Sequence, residues 1–205
     1  MAKQVTGRNA TSVSERVAEA SNILVLARSF PDGAAGVCID LLGGDSRDPA
    51  SVLAVTYTQS PGQWAADWER ATGTTPADGT VISVGDWGED DATPSRWTIE
   101  TVDHAGDLTT LGITLSEFLE AEPSEGAGHK RLCFDSLTAL LQFIDLKQAF
   151  QFLHVITGRV SSAGAVAHYH LDPEAHDEQT VATIRGLFDA VVEVDDRGDW
   201  AVTTR

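Results

Sequence analysis

The stretch Asn22–Leu42, NILVLARSFPDGAAGVCIDLL, limits most narrowly what this chain can become. Ile23-Leu24-Val25-Leu26-Ala27 is a short, continuous apolar run, the pattern of a strand buried on both faces of a parallel sheet. A loop containing Pro31, Gly33 and Gly36 follows, and Val37 to Leu42 reads as the first turns of a buried helix. Strand, glycine loop and helix in that order form the frame of a phosphate-binding loop, G-x-x-x-x-G-K-[ST]. There the backbone N–H groups cradle phosphates, the Lys pairs with them and the hydroxyl ligates Mg²⁺. On that frame the chain runs Arg28-Ser-Phe-Pro-Asp-Gly33-Ala34-Ala35. Arg28 stands at the first Gly, Ala34 at the Lys and Ala35 at the Ser/Thr, and only Gly33 is kept. The frame points to a fold and much less to an activity.

Strands and helices alternate through the rest of the chain, which predicts an α/β domain with a mainly parallel sheet covered on both faces. Residues 1–10 are expected to be a flexible N-terminus, and 11–205 a single domain. Ser12-x-x-Glu15 is a capping-box signature for a short helix before the first strand. Val52–Tyr57, Thr80–Gly85, Arg131–Asp135 and Ala165–Leu171 read as further strands, and Arg96–Val102 as an extra edge strand. Ser60-Pro61 starts a helix whose buried face carries Trp64 and Trp68. Thr114-x-x-Glu117 is expected to cap another, Ser136 starts a short one, and a long helix spans about Leu146 to Val160. Asp172-Pro173 is expected to start a helix with Val181, Ile184 and Leu187 inward. Val191–Val194 and Trp200–Val202 close the chain as a hairpin around the turn Asp195–Gly198.

Charge narrows the function classes. The 205 residues carry 31 acidic against 14 basic side chains, a formal net charge of −17, with 19 Asp, 12 Glu and only 3 Lys. Such a surface repels itself at low ionic strength and suits molar salt, where screening acts over about 3 Å. The pattern resembles the cytoplasmic proteomes of extremely halophilic archaea. It excludes the basic footprint that nucleic-acid binding needs. No apolar run approaches the ~20 residues of a membrane span, and the N-terminus lacks a signal-peptide layout, so a cytoplasmic location is expected. Cys38 and Cys133, both in apolar segments, read as small buried hydrophobes.

Three landmarks recur in order: the loop frame at Asn22–Leu42, an apolar strand ending in an acid at Leu132–Asp135, and a late strand followed by Asp172-Pro173. Asp135-Ser-Leu-Thr-Ala-Leu-Leu141 is similar to the Walker B strand end of RecA/KaiC-type ATPases. From about Ser12 to Val202 the chain resembles that superfamily, and especially the small haloarchaeal KaiC-like (HTR-like) proteins with a degenerate loop. The resemblance implies a three-layer RecA/KaiC-like domain, ATP and Mg²⁺ at the loop, ring or filament assembly, and signal relay. Asp135 matches the acid that holds Mg²⁺ through water, and Gly33 the second loop glycine. The catalytic Glu that follows the second strand in KaiC-type enzymes has no counterpart in Thr56-Tyr-Thr-Gln-Ser60.

The expectation is therefore a pseudo-ATPase with no catalytic residues and no cofactor. It is expected to bind a protein partner, either itself or an intact KaiC-like ATPase, and neither nucleic acid nor membrane. An ATP–Mg²⁺ binder or slow ATPase using Arg28 and Asp135 is the enzymatic alternative. Arg28 is either a phosphate clamp in place of the Lys or a surface residue paired with Asp32 or another acid. Asp135 is either a metal ligand or a relic that caps the next helix or bonds the loop backbone. The cluster His168-Tyr-His170-Leu-Asp172-Pro-Glu174-Ala-His176 offers a third reading. His168 and His170 share one strand face and can share a metal with Asp172, or these residues are buried and capping groups. The acidic loop Asp86–Asp91 reads as solvated.

Overall fold

The computed structural model describes residues 3–7, 12–28, 32–43, 50–85, 87, 96–122 and 128–205, with side chains from residue 12 onward except at 32–35. Nine strands form one sheet: β1 (Lys3–Gly7), β2 (Asn22–Leu26), β3 (Ser51–Thr56), β4 (Asp78–Val84), β5 (Trp97–Val102), β6 (Lys130–Asp135), β7 (Val166–Leu171), β8 (Ala190–Val194) and β9 (Trp200–Thr204), in the order β1-β9-β8-β2-β7-β6-β3-β4-β5. Only β9 opposes the common direction, pairing antiparallel with β8 and β1. β1 falls inside the stretch expected to be flexible, and its backbone closes the edge that β9 would otherwise leave open.

Two helical layers cover the sheet. α1 (Val13–Arg16), α2 (Asp32–Gly43) and α3 (Pro61–Thr72) lie on one face, and α4 (Leu108–Glu120), α5 (Leu137–Leu140), α6 (Leu146–Ser162) and α7 (Glu178–Arg185) on the other. The period-2 alternation of the strands divides the core between them. Leu24, Leu26, Leu53, Val55, Leu132, Phe134, Tyr169 and Leu171 face α4 to α7. Ile23 and Val25 pack with Val37 and Leu41 of α2, and Val52, Ala54 and Cys133 pack under Leu42 and α3. Trp64 and Trp68 are core residues, as expected. Their rings stack at 6.0 Å, and Trp97 meets both edge-on at 5.5 and 6.4 Å.

Several helix starts differ from the sequence reading. α2 begins at Asp32, five residues before Val37, so the loop after β2 is shorter than expected. Thr114 is not a cap: α4 begins six residues earlier, where Asp107 accepts from the backbone N–H groups of Thr109 and Thr110, and the Thr114 hydroxyl bonds back to Thr110 O within the helix. Asp172-Pro173 starts only a 3-10 turn, Pro173–Ala175, and α7 has its own N-cap in Asp177. The acidic loop Asp86–Asp91, apart from Trp87, lies outside the described residues, as do residues 123–127. No helix among the described residues is long and apolar enough to cross a membrane.

Candidate functional site

Parallel topology puts the carboxyl ends of β2, β3, β6 and β7 on one edge, where the loops and helix starts leave a crevice. A cavity of about 310 Å³ opens there, lined by Arg28 after β2, Cys38 of α2, Trp64 and Trp68 of α3, Asp135 at the end of β6 and His170 of β7. Of the residues singled out in the sequence, Arg28, Asp135, His170 and Asp172 line it together.

Arg28 is exposed and already engaged. Its guanidinium donates to Glu174 in the 3-10 turn and, at 3.2 Å, to Asp196 in the β8–β9 turn. The hydrogen bond to Glu174, helped by the charge of Asp196, raises its pKa further. Asp135 accepts from the Thr58 hydroxyl at 2.8 Å, while its backbone oxygen accepts from Tyr57 N–H at 2.7 Å. The next residue, Ser136, caps α5 as expected. Gly33 lies in the first turn of α2, with Ala34 and Ala35 following it in the same helix.

Behind this polar rim lies a second group that the sequence reading only half identified. His168 and His170 point to the α2 face of β7, their rings 5.2 Å apart and steeply inclined. Cys133 is the register partner of His168 on the neighbouring strand β6, and register partners in a parallel pair present side chains to the same face. Cys38 comes down from α2. Its Sγ lies 3.6 Å from Cys133 Sγ and 3.1 Å from His168 Nε2. One ligand-type atom from each of the four residues lies within 4.8 Å of every other. Asp172 is outside this group; its carboxylate accepts from Glu174 N–H and caps the 3-10 turn. His176 stands apart as well, half-buried, with burial lowering its pKa.

The four groups polarise one another. The hydrogen bond from Cys133, reinforced by His168, holds Cys38 well below the usual thiol range against the opposing effect of burial. Cys133 is pushed up by the same hydrogen bond and by burial. Burial works against a charged His170, yet its hydrogen bond to Cys38 and the charge interaction with it outweigh this and raise its pKa. The local arrangement is a thiol of lowered pKa beside two imidazoles, held between α2 and the sheet.

Residues 20–194 match a family of unknown function (DUF7504). The chain belongs to that family. No curated protein matches it. Among solved structures it is similar to the flagellar accessory protein FlaH from Methanocaldococcus jannaschii, at 13% identity and TM-score 0.54 over 85% of this chain and 71% of that one. It is also similar to the PH0250 protein from Pyrococcus horikoshii OT3, at 13% identity and TM-score 0.58 over 91% and 89% of the two chains. A third is the uncharacterized protein PH0321 from Pyrococcus horikoshii, solved in complex with an unknown peptide, at 11% identity and TM-score 0.58 over 85% and 77%. Likeness at such identities carries the fold. The three-layer RecA/KaiC-like domain with its C-terminal hairpin is the fold of this chain.

Cys38 and Cys133 are free thiols in apolar surroundings, as expected; what the sequence reading does not reveal is that they meet His168. Their apolar neighbours are those of core cysteines, and only the strand order places β6 beside β7.

Proposed function

We propose that this protein is a non-catalytic RecA/KaiC-like module, a pseudo-ATPase that works by binding a protein partner in a salt-rich archaeal cytoplasm. The observation that carries the reading is the state of the one cation at the loop: Arg28 is held by Glu174 and Asp196. The fold family implies Mg²⁺–ATP at this edge, and the residues present do not fit it. Alanines stand at the Lys and Ser/Thr positions, and Thr58 already occupies a carboxylate oxygen of Asp135. Phosphate neutralisation, Mg²⁺ ligation and water activation each lack their group, and each is commonly worth orders of magnitude in rate.

A binding role is supported by a groove between α4 and α6, where Ile113 and Val155 are each 54% exposed. The peptide held by one protein of the same fold points the same way. The partner under this reading is a second copy or an intact KaiC-like ATPase.

Retained nucleotide binding is the second reading, favoured by one fact: Arg28 and Asp135 line the same cavity. Titration of Mg²⁺–ATP into the protein by calorimetry, in about 2–3 M KCl to screen the acidic surface, separates the two. The expected outcome is no binding tighter than ~1 mM, about −4 kcal/mol, and no ATP turnover. Turnover that disappears in Asp135→Ala overturns the pseudo-ATPase reading. Binding without turnover, weakened by Arg28→Ala, replaces it with a nucleotide sensor.

A further inference from the structure

We propose that Cys38, Cys133, His168 and His170 form a closed four-ligand site for a zinc-class divalent ion that fastens α2 to β6 and β7. The inference is independent of whether nucleotide binds.

The geometry comes first. A zinc ion with Zn–S near 2.3 Å and Zn–N near 2.0–2.1 Å sets tetrahedral edges of about 3.8 Å between sulfurs and about 3.5 Å between sulfur and nitrogen. Here the sulfurs are 3.6 Å apart and Cys38 Sγ lies 3.1 Å from His168 Nε2, while all four ligand-type atoms fall within 4.8 Å of one another. This cluster becomes a coordination shell through side-chain shifts that open the Cys38–His168 spacing and close the widest one. A disulfide requires about 2.05 Å between sulfurs, so the pair stands as two thiols.

Chemistry agrees with the geometry. Thiols are weak donors and weak acceptors, and a buried polar cluster is costly unless every member is satisfied. Cys133 and His168 are each about 1% exposed. A single cation satisfies two sulfurs and two nitrogens at once. Two sulfurs and two imidazoles in a tetrahedral arrangement favour Zn²⁺ and disfavour Mg²⁺, which takes oxygen ligands in an octahedron.

The ligands also come from three elements that the chain separates widely. Cys38, Cys133 and His170 line the cavity at the carboxyl edge, which gives an ion a route in. With four protein ligands no coordination position remains for water or substrate, so the ion is structural. It holds the helix that begins at the emptied phosphate loop, without needing phosphate to do so.

The test uses the full chain, purified in high salt with a non-thiol reductant and no chelator, then stripped and titrated with Zn²⁺ or Co²⁺. The expected result is about one Zn²⁺ per chain. Loaded Co²⁺ should show the intense visible bands of a tetrahedral ion with a near-ultraviolet thiolate charge-transfer band. Cys38→Ser and His170→Ala should abolish that spectrum and weaken Zn²⁺ binding at least about 100-fold. Asp172→Asn should keep it, which separates this ligand set from one that uses the carboxylate. A wild-type protein with titratable free thiols that takes up neither metal overturns the proposal, even where a variant fails to fold. Weak octahedral Co²⁺ bands without thiolate charge transfer overturn it as well.

Discussion

Gly79 and Gly158 show how a single methyl group changes sign with its surroundings. A Cβ at Gly79 of β4 would lie 2.6 and 2.8 Å from the Trp97 ring and 2.9 Å from Pro76 Cγ. Trp97 cannot yield easily, because it is locked edge-on against both Trp64 and Trp68. Gly79→Ala is therefore expected to cost about 1–3 kcal/mol by overpacking, and to alter the near-ultraviolet circular dichroism of the Trp cluster. At Gly158, exposed within α6, an added Cβ meets nothing within 4 Å. There the same substitution should stabilise by about 0.5–1 kcal/mol, because Gly in a helix interior loses more backbone freedom than Ala. Chemical denaturation of the two variants checks both signs, and a loss of stability in Gly158→Ala would contradict the account. The residue scale also marks where the sequence stops speaking. That His168 and His170 share a face follows from spacing alone. That two cysteines 95 residues apart meet them requires knowing that β7 inserts between β2 and β6, which no local pattern encodes.

At the scale of elements, N-caps decide where helices begin. α6 is the longest helix, and its buried Leu153, Ile156 and Val160 form part of the larger core. It starts at a reciprocal capping box: Asp145 accepts from Gln148 N–H at 2.8 Å, and Gln148 Oε1 accepts from Asp145 N–H at 3.2 Å. Asp145→Ala removes the acceptor for one orphan donor and is expected to cost about 0.5–2 kcal/mol, while Asp145→Ser should retain most of the stability. Thermal unfolding of the pair is the measurement, and equal losses would argue against the cap. The same logic explains why α6, α3 and α5 were readable while α4 and α7 were not. Ser60-Pro61, Ser136 and the long apolar period beginning at Leu146 point to one start each. In α4 a Thr-x-x-Glu pattern lies inside the helix and mimics the cap that Asp107 supplies upstream. At Asp172 the Pro favours a first turn, but the chain bends out at His176, whose backbone is extended (φ −134°, ψ 158°). Asp177 then has to start α7 afresh. At the far end of α4, Lys130 from β6 donates to Leu119 O at 2.7 Å and also to Ala121 O. A buried ammonium thus adds to the backbone cap that Ala121 N–H makes on Glu117 O, and sequence offers no sign of that contact.

Across the whole molecule two electrostatic effects oppose each other. The described ion pairs of Arg28, Arg70, Arg159 and Arg185 are all at the surface, where a pair is worth about 0–1 kcal/mol and salt weakens it. Against them stands a formal net charge of −17 on 205 residues, whose self-repulsion acts between many exposed carboxylates and is also weakened by salt. Repulsion involves more charges over longer distances, so screening should stabilise the fold on balance. The midpoint of thermal unfolding is expected to rise steadily between about 0.1 and 2–3 M KCl, as the screening length falls from about 10 Å to 3 Å or less. Each kcal/mol of relieved repulsion is worth about 2–4 °C for a chain of this size. Comparing KCl with a neutral osmolyte matched for stabilisation of an uncharged reference protein isolates the charge effect. The rise should be steepest below about 1 M, where the screening length changes most. A midpoint that falls with KCl would mean that the few ion pairs outweigh the excess of acid, and that the composition is not an adaptation to salt. A midpoint that climbs only above that range would assign the gain to stronger burial of the apolar core instead.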